Sequence, residues 1–251
     1  MKHGISLTGF DLKRLAVISM VIDHIGSFLL GAMLIPYKNG GTLVVDQSSP
    51  ISLWRIMQAQ EVCDILGRAA FPIFCFLMVE GFLHTHDRVG YGLRMGLFAL
   101  ISEIPYDLAQ FHTPFSLRLQ NVMFTLTVGI FTLLAVSWAE ERWRKTPWLR
   151  WGAVIGLTAA GMALALLVRG EYVFLGVLAA VLLYLLRNKG YLRAAGLAPL
   201  LVVSPWVLLA APPILLYNGE RGRGSKWFFY VFYPVHFLVF AALAAWISGG
   251  I

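Results

Sequence analysis

The sequence predicts an all-α integral membrane protein, a polytopic bundle of about eight transmembrane helices around a polar intramembrane cavity. Of its 251 residues, 59% are hydrophobic and only 13% are charged, and the mean hydropathy of +0.73 is far from the balance of a soluble domain. The apolar residues form stretches about long enough to cross a bilayer, and several stretches carry a charged residue or a histidine near the middle.

The apolar stretches follow one another along the whole chain. Short connections join them, so residues 1–251 form a single transmembrane domain with no room for a soluble catalytic domain. The first stretch contains Asp23 and His24 and lacks a small-residue cleavage site, so we expect it to remain in the mature protein. The predicted helices are Leu15–Ile35, Ile65–His84, Leu93–Ala109, Asn121–Trp138, Trp151–Val168, Tyr172–Leu186, Ala195–Tyr217 and Phe228–Ile247.

The Lys and Arg residues between the spans set the predicted orientation. With a cytoplasmic N-terminus, twelve of them fall on the inner side and seven on the outer side. The positive-inside rule therefore predicts a multi-pass protein of the inner (cytoplasmic) membrane with both termini in the cytoplasm. The loop Asn218–Lys226 is basic yet falls outside, so either it has a function there or one span in the second half is miscounted. Despite the net charge of +7, nucleic-acid binding is not indicated, because these cations are spread over short loops.

Ionisable side chains within the spans are the first candidates for function, because a charge at the centre of a bilayer costs roughly 2.5–3.5 kcal/mol. Counting about 1.5 Å of rise per residue, mid-depth groups come from three spans: Asp23, His24, Glu103 and His236. Arg68, Asp107 and Asn121 fall in the outer third, and Glu80 and His84 toward the cytoplasm. Each group has two open readings, as part of a functional cavity or as a structural contact between helices, and Arg68 with Asp107 is best explained as a salt bridge.

The spacing of these residues along the sequence also indicates where some of their side chains point. Asp23 and His24 are adjacent, so on a regular helix their side chains point about 100° apart and do not form a direct pair. Pro234, two residues before His236, removes one helical hydrogen bond beside that imidazole. Depth and spacing leave open which side chains face one another.

Several strings of the chain resemble the TraX family of membrane proteins. The first is Val21-Ile22-Asp23-His24-Ile25-Gly26. The others follow in order along nearly the whole chain: Leu66–Phe74, Val79–Thr85, Tyr91, Leu93-Arg94, Ile101–Asp107, Asn121–Thr125, Tyr217–Gly222 and Phe232–His236. The chain departs from the family pattern before the sixth span, where Glu171-Tyr172-Val173 stands in place of an Asp-Tyr-Gly string.

The resemblance implies an acyltransferase that uses acetyl-CoA. The namesake of the family is similar to enzymes that acetylate the N-terminus of a conjugative pilin. The family also resembles a wider group of multi-pass proteins that pass acyl groups from cytoplasmic CoA to acceptors across the membrane. We therefore expect acetyl-CoA as the acyl donor, no metal, and an acceptor in the cell envelope such as a pilin-like N-terminus, a glycan or a lipid head group. N-acetylation and O-acetylation both stay open.

Acyl transfer from a thioester needs a base for the acceptor proton, hydrogen-bond donors for the oxyanion and a site poor in water. The residues expected to act in catalysis are His24, Asp23, His236 and Glu103, and those expected to bind substrate are Arg68, Glu80, His84, Asp107 and Asn121. In this scheme, one of the two histidines is the base. A carboxylate orients the imidazole or holds an acceptor ammonium, and Arg68 or Asn121 donates to the oxyanion. The sequence contains no nucleophile elbow, which favours direct transfer over an acyl-enzyme.

Two other classes of function use the same buried charges. A proton-coupled small-molecule transporter would use them as a relay, but such proteins usually show repeat symmetry with paired broken helices, and the sequence shows no repeat. A non-catalytic assembly factor would use them only to pair helices. Dependence on acetyl-CoA separates the enzyme from both.

Overall fold

A computed structural model describes residues 6–38, 53–224 and 226–247, with only the backbone at residues 35–38 and 226. The secondary structure of these ranges is helical, apart from two isolated β-bridges that join Leu7 to Tyr217 and Gln120 to Gly170. In chain order the helices are α1 (Gly9–His24), a π-helix (Ile25–Leu30), α2 (Gly31–Lys38), α3 (Leu53–Gly67), α4 (Ala70–His84), α5 (Arg88–Phe111), α6 (Val122–Arg142), α7 (Pro147–Val168), α8 (Val173–Leu185), two 3₁₀-helices (Gly190–Val202 and Pro205–Ala210), α9 (Ala211–Leu215) and α10 (Lys226–Ile247).

The predicted all-helical, multi-pass membrane fold is confirmed. Five helical segments of the described chain are long and apolar enough to cross a bilayer: Gly9–Leu34, Leu53–His84, Val122–Arg142, Pro147–Val168 and Trp227–Ile247. The predicted number of about eight spans stays a prediction. Helix α5 has 24 residues but carries Arg94, Glu103 and Asp107, which lower its hydropathy, and α8 has only 13 residues.

The stretch predicted as one span at Ala195–Tyr217 is instead part of a hairpin. Its first arm is the 3₁₀-helix Gly190–Val202, and its second arm is the 3₁₀-helix Pro205–Ala210 followed by α9. The ends of the two arms meet, since the guanidinium of Arg193 donates to the carbonyls of Leu215 and Tyr217 at 2.9 and 3.2 Å. Prolines in both arms remove the N–H groups that a continuous α-helix needs, so the apolar run turns back rather than crossing once.

The loop after this hairpin lies at the end of the molecule where α1 begins. The amide of Leu7 donates to the carbonyl of Leu216 and the amide of Asn218 to the carbonyl of Leu7, each at 2.9 Å. The amide of Gly9 donates to the carbonyl of Glu220 at 2.7 Å. The described part of the loop Asn218–Lys226 thus lies beside residues 7–9. This position agrees with the second alternative left by the sequence, that one span in the second half is miscounted, and the number of spans stays a prediction.

Helix α10 consequently runs in the same direction as α1. Phe10 packs on Phe229 near the start of both helices, with ring centroids 6.1 Å apart, and Phe28 packs on Phe240 further along, at 5.9 Å. Both helices are long and apolar enough to cross a bilayer. Two parallel spans that begin on one side of a membrane both end on the other side. The helix directions therefore do not support the prediction that both termini lie on the cytoplasmic side, and the orientation stays a prediction.

The remaining helices pack around these two. Helix α5 packs between α6 and α10, α6 also contacts α7 and α8, and α1 contacts α3 and α4. The helices approach each other closely where small residues lie between them, as is usual in membrane proteins. A Cβ on Gly161 of α7 would overlap Thr132 of α6, for example. This packing brings α1, α4, α6 and α10 together around two cavities.

Candidate functional site

A pair of histidines forms the centre of the candidate site. His24 Nδ1 lies 2.9 Å from His236 Nε2, and the two rings stack with centroids 4.9 Å apart and planes 13° apart. His24 is the last residue of α1, and the π-helix begins at the next residue. Turns of π-helix are rare and frequent at functional sites. The His24 side chain contacts His236, and as expected for adjacent residues of a helix it does not pair with Asp23.

The hydrogen bonds of the pair define which nitrogen is free. His236 Nδ1 lies 3.1 Å from the carbonyl of Phe232, which only accepts, so this nitrogen carries the proton. In neutral His236 the Nε2 atom is then an acceptor, and His24 Nδ1 must donate to it. The lone pair of neutral His24 is thereby placed on Nε2. The pair therefore presents one basic nitrogen, with its tautomer fixed by the second ring.

Aromatic side chains surround the pair. The His24 ring lies 5.1 Å from Phe28 and 4.9 Å from Phe237, and the His236 ring lies 5.3 Å from Phe232 and 5.4 Å from Tyr233. These distances are typical of aromatic packing. An apolar surrounding disfavours a charged imidazole, so it keeps the pair neutral and able to accept a proton.

Asp23 faces the kink between α3 and α4. A Cβ on Gly67, the last residue of α3, would overlap the Asp23 carboxyl group, so only glycine allows this approach. Arg68 follows directly, and its positive charge interacts with Asp23 and with Glu171. The Arg68 guanidinium is also hydrogen-bonded to the Tyr172 hydroxyl. One cation is thus shared by two carboxylates.

Glu171 and Tyr172 belong to a strained turn between α7 and α8. The φ angles of Arg169, Tyr172 and Val173 are 58°, 59° and 41°, in the left-handed region that non-glycine residues seldom adopt. Val173 stands where the family pattern has glycine, and its positive φ explains why glycine suits that position. The Tyr172 ring stacks on Phe71, with centroids 3.8 Å apart. Strain of this kind clusters at functional sites.

These groups line a cavity of about 330 Å³, which we call the acidic cavity. Its polar lining consists of Asp23, His24, Arg68, Glu171 and Tyr172, and its remaining lining is largely apolar. Burial raises the pKa of Glu171 to about 7; the charge of Asp23 adds to the rise and Arg68 opposes it. With both carboxylates ionised, the lining carries one more negative than positive charge, which suits a cation.

A second cavity of about 410 Å³ lies toward the end where α1 begins, and we call it the basic cavity. Its basic lining is Lys13, His84, Arg94 and Arg221, and none of the described residues that line it is Asp or Glu. Lys13 and Arg221 repel each other electrostatically. The deeper lining is apolar and rich in methionine and aromatic residues, among them Met78, Met95, Met123, Tyr91 and Tyr230. A basic mouth above an apolar interior suits an anion with a long, less polar arm.

The two cavities share one partition, formed by Met20, Phe74, Val122 and Tyr233, which line both. We call these four side chains the dividing wall. They come from α1, α4, α6 and α10. The histidine pair lies at this wall, because Met20 is one turn before His24 and Tyr233 is three residues before His236.

Glu103 lies outside the lining of both cavities. Its Oε2 accepts from the Asn121 side-chain amide at 2.5 Å and from the Asn121 backbone amide at 3.2 Å, while Asn121 Oδ1 caps α6 by accepting from Met123 N at 3.0 Å. The other Glu103 oxygen is buried with no hydrogen-bond partner in the described structure. Tyr106 and Tyr233 each interact electrostatically with both Glu103 and Glu171. Glu103 thus supports the start of α6 beside the dividing wall.

The remaining predicted residues are placed apart from the histidines. Asp107 Oδ2 accepts from the amide of Ser116 at 2.6 Å, which holds the loop after α5. The expected salt bridge between Asp107 and Arg68 is wrong, since Arg68 interacts with Asp23 and Glu171 instead. Glu80 and His84 form one pair on α4, with 3.8 Å between Oε2 and Nδ1, and His84 reaches the mouth of the basic cavity.

Sequence reasoning missed Glu171, Tyr172 and Tyr233 as site residues. Glu171 and Tyr172 lie in a turn rather than at mid-span, so counting depth along helices did not select them. The departure from the family string was the available signal, because it placed a carboxylate and a tyrosine next to a position that prefers glycine.

Comparisons with known proteins identify the family of this chain. The family model described as TraX protein matches residues 9–244. The chain is 26% identical over 263 aligned positions to "Probable fimbrial assembly protein FimC, serogroup H1" of Dichelobacter nodosus, an alignment that covers 94% of this chain and 95% of that protein. No solved structure matches the chain. Because the family model covers nearly all of it, the chain belongs to the TraX protein family.

Proposed function

We propose that this protein is a membrane-embedded acyltransferase that moves an acetyl group from acetyl-CoA to an acceptor in the cell envelope. The observation that carries the proposal is the His24–His236 pair, which offers one neutral basic nitrogen at a wall between two cavities of opposite charge character. A base between two separate compartments is what direct transfer between a donor and an acceptor requires.

The residues of the acidic cavity support each step of the chemistry. His24 Nε2 takes a proton from the acceptor amine or hydroxyl as the acceptor atom bonds to the thioester carbonyl carbon. Arg68 stabilises the negative charge that develops on the carbonyl oxygen. The carbon–sulfur bond then breaks, and protonated His24 gives its proton to the departing thiolate, which leaves as free CoA. The acetyl group passes to the acceptor, and the acceptor proton passes through His24 to the CoA thiolate. The reaction therefore balances without a metal or an acyl-enzyme.

The basic cavity suits acetyl-CoA. Lys13, Arg94 and Arg221 at its mouth match the phosphate groups of the donor. Arg94 also forms an exposed ion pair with Asp87 at 3.4 Å, which a phosphate would have to displace or share. The apolar interior leads to the dividing wall, so the thin pantetheine arm would carry the thioester to the histidines. Water is sparse in such a passage, which limits hydrolysis of the thioester.

The acidic cavity suits an acceptor with a positive charge. Arg68 is the one cation among the described lining residues that Asp23 and Glu171 share, and the Tyr172 ring adds an aromatic face beside them. An N-terminal ammonium is such a group. It first gives one proton to an ionised carboxylate of the cavity, Asp23 or Glu171, and the carboxyl group later releases this proton to water; the neutral amine that remains attacks the thioester and gives its second proton to His24. The relative in Dichelobacter nodosus is named as a probable fimbrial assembly protein. A pilin-like N-terminus is therefore the preferred acceptor, and the hydroxyl of a glycan or a lipid head group is the alternative.

The orientation follows from charge and helix direction. If the N-terminus is cytoplasmic, the loop containing Arg221 and Arg223 joins the cytoplasmic side, which removes the disagreement with the positive-inside rule. The basic cavity then opens to the cytoplasm, where CoA is found, and the C-terminus lies outside. In a protein whose Cys63 and Cys75 are replaced, a cysteine at Arg223 should be labelled from the cytoplasm and a cysteine at Arg118 from outside. Labelling of Arg223 from outside and Arg118 from the cytoplasm would reverse this assignment, and labelling of both from one side would contradict the arrangement of the spans.

The proposed function is tested with the purified protein in lipid nanodiscs. Radiolabelled acetyl-CoA is mixed with a hydrophobic peptide that has a free N-terminus, with the same peptide N-formylated, or with a glycan. We expect label in the free peptide and an equal amount of released CoA, both lost in His24→Gln. If the wild-type protein releases CoA no faster than His24→Gln with every acceptor, the proposal is wrong.

A proton-coupled transporter is the second candidate, because cavities on two sides of one wall also suit alternating access. Sealed liposomes distinguish the two functions. A transporter moves a small solute in response to a pH gradient with no acetyl-CoA present, whereas the enzyme transfers label in nanodiscs, where no gradient exists.

A further inference from the structure

The dividing wall is held in one arrangement by contacts between helices. The Tyr233 hydroxyl is hydrogen-bonded to the backbone of Val122, the first residue of α6, where the amide has no partner within the helix. Met20 and Tyr233 are only 7% and 8% exposed, and the Tyr233 ring packs on Phe237 with centroids 5.2 Å apart. The wall is therefore a packed surface with a defined shape.

In the proposed reaction, the alkyl group of the acyl chain is directed onto the dividing wall. The tetrahedral carbon of acyl transfer has four substituents. The sulfur comes from the basic cavity, the acceptor atom from the acidic cavity, and the oxyanion faces Arg68. The alkyl group of the acyl chain is the fourth substituent, and it is left to contact the side chains one turn from the histidines.

We propose that the dividing wall determines which acyl chains the protein transfers. Met20 and Val122 limit the space for the alkyl group, so a methyl group fits and longer chains are excluded. The inference rests on the proposed function and adds the residues that select the acyl donor. In an apolar pocket each additional methylene changes the specificity by roughly 10- to 200-fold.

Met20→Ala and Met95→Ala form a matched pair of variants. Both methionines line the basic cavity and are similarly buried, with 7% and 8% exposure, but only Met20 also belongs to the dividing wall. We measure CoA release from acetyl-CoA and butyryl-CoA, with a free N-terminal peptide as acceptor. Met20→Ala should lower the acetyl-to-butyryl ratio of kcat/KM by roughly 10-fold or more, and Met95→Ala should leave it unchanged.

A binding measurement makes the result independent of the acceptor. Acetyl-CoA should raise the thermal unfolding temperature of the wild-type protein, because a ligand that binds only the folded state stabilises it. Hexanoyl-CoA should raise it less, and Met20→Ala or Val122→Ala should remove that difference. Unchanged donor preference in both wall variants, with acetyl transfer intact, would overturn this inference and leave the proposed function standing. A wild-type protein that neither binds nor uses acetyl-CoA would overturn both.

Discussion

Replacing each histidine of the pair by phenylalanine tests which one is the base. Phenylalanine suits both positions, since His24 and His236 already stack on each other and pack among Phe28, Phe232 and Phe237. His24→Phe removes the free Nε2, and loss of a general base typically lowers the rate 10²- to 10⁴-fold. That is roughly 2.7–5.5 kcal/mol of barrier.

His236→Phe should have a much smaller effect on the rate. It removes the acceptor of the 2.9 Å hydrogen bond that fixes the His24 tautomer. A hydrogen bond between neutral groups contributes about 0.5–1.5 kcal/mol, which corresponds to roughly a 2- to 13-fold change in the fraction of His24 with a free Nε2. The part-buried His24 N–H left without a partner should also lower the free energy of unfolding, by up to about 1–3 kcal/mol, the cost for a fully buried donor.

The assay is CoA release in nanodiscs, followed with a thiol reagent at saturating acetyl-CoA and peptide. Thermal unfolding and gel filtration of each variant separate a lost base from a misfolded protein. His24→Gln, which keeps hydrogen bonding but is not a useful base, should resemble His24→Phe. If His236→Phe loses as much activity as His24→Phe, or more, the tautomer argument is wrong and His236 is the base or the two rings act as one unit.

The other predictions concern the surroundings of the pair. Gly67→Ala should lower stability and activity together, because its Cβ would overlap the Asp23 carboxyl group, whereas Gly156→Ala, with open space around it, should be neutral or raise the free energy of unfolding by about 0.5–1 kcal/mol. An equal effect of the two on thermal unfolding would contradict the close approach. Val173→Gly should raise the unfolding temperature, since it removes a positive φ of 41° from a β-branched residue, and a decrease would show that the turn is unstrained. Because the pKa of Glu171 is raised to about 7, stability should be full below about pH 4.5 and fall as the pH rises through 7; unfolding curves of Glu171→Gln should lack this fall, and a parallel pH dependence in both proteins would assign it elsewhere.

Much of the site was visible in the sequence because burial of charge is costly everywhere in a bilayer. His24 and His236 were identified from their depth alone, and the structure brings them into contact although 212 positions separate them. The direction in which each side chain points was not predictable from the sequence. The π-helix begins directly after His24 and changes how the following residues face the bundle, and a local change of helix type leaves no simple pattern of apolar residues.

The second half of the fold was less predictable for a related reason. Ala195–Tyr217 is apolar throughout most of its length, and an apolar run has the same composition whether it crosses once or turns back. The turn lies near Ser204, whose side chain accepts from the amide of Trp206 at 3.3 Å. A serine followed by proline is a common helix start, but only the contact of both arms with Arg193 identifies it as a return.

The helix type of the first arm of this hairpin determines how far the arm reaches. A 3₁₀-helix rises about 2.0 Å per residue and an α-helix about 1.5 Å, so the same 13 residues Gly190–Val202 would be roughly 6–7 Å shorter as an α-helix. Val203, at the tip, lines the acidic cavity. The tip therefore reaches the acidic cavity because the arm is wound as a 3₁₀-helix, and an α-helical arm of the same residues would end short of it.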